Sequence, residues 1–163
     1  MRKNLGKNSR GIILSFLGCL TTAAIFYGGG NYINKQTPYY NFFTNFISDL
    51  GRTTSHSGDD NTISLFFFII GMLIQVFGAF YFLYNAADYF KNDKPKVTIL
   101  AKISAAIGSI SLLGVILTPA DVPSLYFLHI LFANSVFNCS FVTLSIYGYL
   151  FYTKGLKNVT YSL

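Results

Sequence analysis

The chain has 163 residues, 52% of them hydrophobic and only 11% charged, with 12 Lys and Arg against 6 acidic residues and a net charge of +6. An ordinary soluble domain carries about 25% charged residues, so a chain this short and this apolar cannot cover itself with polar side chains, and a soluble globular domain is excluded. Nucleic acid is excluded as a partner as well: the basic residues sit at the ends of apolar runs, where they anchor helices and set orientation, rather than gathered on one face between aromatics.

Arg2, Lys3, Lys7 and Arg10 lead into the first apolar segment, residues 11–30. A helix needs ~20 mainly apolar residues to cross a ~30 Å hydrocarbon core, and this run suffices. A signal peptide would also place bases before an apolar stretch. This run is longer than a signal core, however, and no small-x-small cleavage pattern follows it, so a retained span is expected.

Residues 39–50 come next. Phe42, Phe43, Phe46, Ile47 and Leu50 recur on one helical face, with Asn41, Thr44, Asn45, Ser48 and Asp49 on the other. The stretch is too short to span and predicts an amphipathic helix lying at the outer membrane interface or packed over the bundle. Gly51 is expected to stop it. Residues 52–61 read as an irregular polar loop, with Asp60 or Asn61 capping the second span.

Three further spans follow, at residues 63–84, 97–117 and 123–152, the last long enough to tilt or to project beyond the bilayer. Gly71 and Gly78 in the second span, and Ser104, Gly108 and Ser111 in the third, are small residues at spacings that let helices approach closely. Cys19 and Cys139 fall within spans, lack metal-ligand spacing, and are expected to behave as small apolar residues. The predicted fold class is all-α: a polytopic transmembrane helical bundle of four spans plus an interfacial helix, forming a single domain over residues 1–163.

Orientation follows from the bases. The N-terminal tail, the connection between the second and third spans (Lys91, Lys94, Lys96 and Lys102) and the C-terminal tail (Lys154 and Lys157) hold ten of the twelve. Lys35 and Arg52, in the long first connection, are the other two. Cytoplasmic connections carry the excess of Lys and Arg, which predicts a multi-pass protein of the cell membrane with both termini cytoplasmic. The sequons at Asn138 and Asn158 then fall in a span and in the cytoplasm, where glycosylation is not expected.

Under this topology Asp49, Asp59, Asp60, Asp121, His56 and His129 share the extracytoplasmic side. Polar and charged groups beside a membrane are costly and point to a site. The candidate cluster is Ser48, Asp49, Arg52, Asp121 and His129, with Asp49 and Arg52 spaced to pair at i and i+3. Deeper polar residues are Gln75, Asn134 and Asn138. At 100° per residue His129 points roughly 140° from Asn134, so the two are not expected to form one stripe. Asp49, Asp121 and His129, with His56, are weak candidates for a metal, since no close-spaced ligand pair anchors them. Ser48 lacks a nucleophile elbow.

The stretch Asn45-Phe46-Ile47-Ser48-Asp49-Leu50-Gly51 after an aromatic run, with Pro119-Ala120-Asp121 followed by His129, resembles the membrane-protein family called domain of unknown function 998. It is more distantly similar to the damage-regulated autophagy modulator type. The resemblance implies an integral membrane protein with an extracytoplasmic polar cluster, carried here by Ser48, Asp49, Gly51, Asp121 and His129, and implies no established reaction. Members usually carry a further pair of spans, so this chain would be a short member, a truncated product, or half of an assembly. A thinner similarity to membrane hydrolases of the ceramidase and progestin-receptor type lacks their paired histidines.

The function expected from these features is non-enzymatic binding of a membrane lipid or a partner helix through the polar cluster. The candidate partners are membrane lipids, a second copy of the chain and partner membrane helices, with no cofactor. A metal-assisted lipid hydrolase and a small-solute channel or transporter are the alternatives.

Overall fold

The computed structural model describes residues 2–155. Lys157 and the Asn158 sequon lie outside the described residues. Four long helices follow one another: α1 (Arg2–Ile25), α2 (Thr62–Ala87), α3 (Pro95–Leu117) and α4 (Tyr126–Lys154). Among the described residues there are no strands, only an isolated antiparallel bridge between Thr54 and Asp60.

Three helices are long and apolar enough to cross a membrane: α2 with its continuation to Phe90, α3 and α4. The apolar stretch of α1, Ser9–Ile25, is shorter. At 1.5 Å per residue it rises ~25 Å, the low end of the spanning range. The helix therefore differs from the expected 11–30 run at both ends, beginning earlier and stopping at Ile25. Beyond it Gly29 and Gly30 take φ of 104° and 74°, left-handed values that suit glycine and break helical continuation.

Successive helices pack side by side, α1 on α2, α2 on α3 and α3 on α4. Small residues form the seams. A Cβ added at Gly71 would lie 3.0 Å from the Cys19 Cβ, and one at Gly78 only 2.3 Å from Ile12. On the other seam a Cβ at Gly108 would lie 3.3 Å from the Cys139 Cβ, and Gly114 sits against the Phe132 ring. Ser104 crosses the same seam, its hydroxyl donating to the Cys139 carbonyl at 3.2 Å and sharing a 2.7 Å hydrogen bond with Thr143. Both cysteines are free. In a bilayer, close backbone approach of this kind supplies the packing that apolar burial cannot.

Among the described residues the row does not close on itself, because α4 has no comparable packing on α1. At the end bearing the α2–α3 connection, the Tyr147 hydroxyl donates to the Leu83 carbonyl. A small core of Ala87, Phe90, Ala101, Tyr147 and Leu150 forms there. Lys102 pairs with Asp88 at 2.7 Å, and Lys154 pairs with Asp93 while lying over the Tyr89 ring. Away from this end α2 and α4 have no comparable packing on each other among the described residues, and the space between them runs alongside α3.

The opposite end carries a cap, the connection from residue 26 to 61. The expected helix at 39–50 does not form. Residues 41–45 make a turn, and a 3-10 helix follows at Ile47–Gly51. Asparagine chemistry explains the difference. Asn41 accepts from the Phe43 N–H at 2.9 Å and Asn45 from the Asn41 N–H at 3.0 Å, local bonds that compete with a helical ladder. The apolar set is split: Phe42, Phe43, Phe46 and Ile47 are exposed, as a face seated in an interface would be, whereas Leu50 is buried with Asn45 and Asp49. Gly51 does not act as a left-handed stop. A Cβ there would lie 2.3 Å from the Phe68 ring, so glycine is required for contact with α2.

Candidate functional site

The cap holds together through side chains gripping backbone. Asn61, fully buried, donates to the Leu50 and Arg52 carbonyls at 3.3 and 2.9 Å and accepts from the Gly28 N–H at 3.2 Å. It makes no side-chain helix cap; Asp60 takes that part, accepting from the Thr62 N–H and hydroxyl. Ser64 adds a 3.0 Å bond to the Leu50 carbonyl. The polar stretch at 52–61 is an ordered turn, closed by Ser55 N–H to the Asp59 carbonyl at 3.1 Å and tied to the glycine segment by Ser57 N–H to the Gly29 carbonyl at 3.2 Å.

At the centre lies Asp49, 4% exposed. Its Oδ2 accepts from the Phe46 N–H at 2.8 Å and from Asn45 Nδ2 at 3.3 Å. Its Oδ1 lies 3.0 Å from His56 Nε2. A carboxylate only accepts, so Nε2 of the imidazole is the donor. The expected Asp49–Arg52 pair is thus replaced by Asp49–His56. The 3-10 geometry carries Arg52 away, and its Nε donates to the Thr54 carbonyl at 3.1 Å. Among the described residues the Arg52 side chain makes no other hydrogen bond or ion pair. Ser48 makes no side-chain hydrogen bond, to His129 or to any other described residue.

Asp121 sits at the edge of the cap and binds it to the α3–α4 connection. It accepts from the Thr53 and Thr54 N–H groups at 3.0 and 2.9 Å and from the Thr53 hydroxyl. Burial alone would raise its pKa, but these donors outweigh burial and hold the carboxyl below its ordinary value. His129 is buried, with Nδ1 donating to the Thr118 carbonyl at 2.6 Å. Tyr40 is pushed up to about 12, chiefly by burial and then by the charge of Asp49.

A cavity of about 980 Å³ begins beneath the cap and descends between α2, α3 and α4. Ser48, Asp49, Arg52 and His56 line its upper end, with Tyr40 and His129. Gln75, Ser109 and Asn134 line the middle, and Leu83 and Thr143 the floor. The structure thus brings Ser48, Asp49, Arg52 and His129 onto one cavity but leaves Asp121 outside it. Asn138 is exposed on α4 and does not line it. His129 and Asn134 do share the cavity despite their angular separation, because it takes in more than one flank of α4. Among the described residues no three of His, Cys, Asp and Glu come together as metal ligands. Asp121 is held by the threonines, His129 by Thr118, and Asp49 and His56 by each other.

Sequence reasoning missed the Asp49–His56 pairing, the buried Asn61 clamp and Tyr40. The one available signal was the concentration of Asn, Ser, Thr and Asp between two apolar segments, more polar capacity than an unstructured loop needs.

Fold and site together define a class: an all-helical protein whose apolar helices suit a membrane, with an ordered polar cap over an internal cleft. Compared with protein-family models, curated proteins and solved structures, the chain matches none.

Proposed function

We propose that this protein is a multi-pass protein of the cell membrane that crosses the bilayer four times, keeps both termini in the cytoplasm, and binds a lipid between its cap and its cleft. The observation that carries this reading is the single cavity joining a charged upper end to a largely apolar interior. Its volume lies at the top of the roughly 300–1,000 Å³ usual for small-molecule sites. From His129 to Thr143 it follows α4 for 14 residues, ~21 Å at 1.5 Å per residue, a depth that suits a long acyl chain.

The skewed distribution of basic residues supports the orientation. The apolar stretch of α1, Ser9–Ile25, reaches the low end of the spanning length and supports a fourth crossing. The exposed Phe42, Phe43, Phe46 and Ile47 would seat the cap in the outer interface, the role first expected of an amphipathic helix. The composition of the Ser48-Asp49-Gly51 segment supports kinship with the domain of unknown function 998 type. A lipid hydrolase using Asp49, Asp121 and His129 has less support, since Asp121 lies off the cavity.

The test is mass spectrometry of protein released from mild detergent. Wild type is expected to retain lipid, and Ala133→Trp, which fills the cleft, to lose most of it. Equal lipid retention by the two proteins rules out the cleft as the site.

One observation favours a second reading. Gln75 and Asn134 line the cavity and make no side-chain hydrogen bond among the described residues. Uncompensated amides at membrane depth are costly and would suit a polar solute path. Liposome flux that falls on Gln75→Leu or Asn134→Leu would support that path over a lipid site.

A further inference from the structure

The hydrogen-bonding capacity left over at the top of the cavity identifies the kind of head group that fits there. Among the described residues Asp49 is the only carboxylate lining the cavity, and its two oxygens already accept three donors, from Phe46, Asn45 and His56. It has little left to offer a cationic ligand. Arg52 is the only Lys or Arg on the lining among the described residues. Its Nε is taken by the Thr54 carbonyl, while its terminal guanidinium nitrogens have no hydrogen-bond partner among the described residues. The Ser48 and Tyr40 hydroxyls also lack partners among the described residues. What remains unpartnered at this end of the cavity is therefore a guanidinium edge, which only donates, and two hydroxyls free to donate.

A planar guanidinium edge that lines one cavity with hydroxyl donors matches an acceptor-rich anion such as a carboxylate or phosphate. Resting on the lipid-binding reading above, we infer that the ligand is an amphiphile with an anionic oxygen head group held by Arg52, Ser48 and Tyr40, its chain descending toward Thr143. The partnered Asp49–His56 pair then acts as scaffold, fixing the 3-10 segment on which Ser48 and Arg52 are carried.

Competition binding in detergent micelles against a fluorescent fatty acid tests this on the wild-type protein without relying on any mutant. Palmitate, hexadecyl lysophosphatidate and the neutral hexadecanol share a chain and differ in the head. The expected result is that at least one anion competes ten-fold or more better than hexadecanol. Whichever anion is stronger identifies the head as carboxylate or phosphate. Arg52→Gln is expected to erase that ten-fold margin while leaving hexadecanol unchanged, and Arg52→Lys to restore part of it. Equal competition by anions and alcohol would overturn the head-group inference and leave lipid binding standing. No binding of the fluorescent fatty acid and no competition by any chain would overturn both. Preference for an anion that persists in a folded Arg52→Gln protein would remove Arg52 from the role.

Discussion

Asp49 is held by three donors in a space with almost no access to water, so its removal strands each of them. Leaving buried donors unsatisfied costs ~1–3 kcal/mol apiece in the worst case. Asp49→Ala is therefore expected to lower the thermal midpoint in detergent clearly. Asp49→Asn, which keeps one acceptor oxygen, should lower it by less. Gly51 poses a steric problem of the opposite kind. The missing Cβ leaves room for the Phe68 ring, and overpacking a tight contact costs about 1–3 kcal/mol. Gly51→Ala should lower the thermal midpoint, and Gly51→Ala with Phe68→Leu should recover part of the loss; no recovery would show that the ring is not the obstacle.

At the scale of elements, the cap is a folded unit clamped onto α2 and onto the α3–α4 connection. Asn61 and Ser64 provide the first clamp and Asp121 the second. Because donors hold the Asp121 carboxyl below its ordinary value, the folded state favours its ionised form. Its contribution to stability is then fully present above the unfolded value of about 3.9 and is lost as pH falls through the lower folded value. Thermal midpoints measured from neutral pH downward should fall across that window, and the part of the fall due to this residue should vanish in Asp121→Ala. If the variant's pH profile parallels that of wild type, the clamp carries no such linkage. Deleting the carboxylate at neutral pH should cost less than the ~1.5–3 kcal/mol typical of hydrogen bonds to a charged group, because Asp121 is only partly buried and water screens it.

For the molecule as a whole, the testable claim is topology. In a protein freed of Cys19 and Cys139, single cysteines at positions 57 and 124, in the cap and the α3–α4 connection, should react with an impermeant reagent from outside intact cells. One at position 92, in the α2–α3 connection, should react only after permeabilisation. Positions 57 and 124 reacting from opposite sides would contradict the structure itself, since Asp121 reaches Thr53 and Thr54 across that gap.

The three helices suited to a membrane were visible in the chain because length and hydropathy are local properties: enough consecutive apolar residues meet the spanning requirement whatever surrounds them. The seam glycines were visible for a similar reason, since their spacing places them on one side of a helix whatever that side meets. The cap could not be read this way. Its residues 39–50 satisfied a helical pattern, yet Asn41 and Asn45 spent their side chains on nearby backbone. Asp49 found His56 rather than Arg52, and Gly51 proved to answer to a ring seventeen positions further along. Which polar group meets which depends on distances between segments that only packing brings together, and the cavity, being the space those segments leave open, has no signature in any one of them.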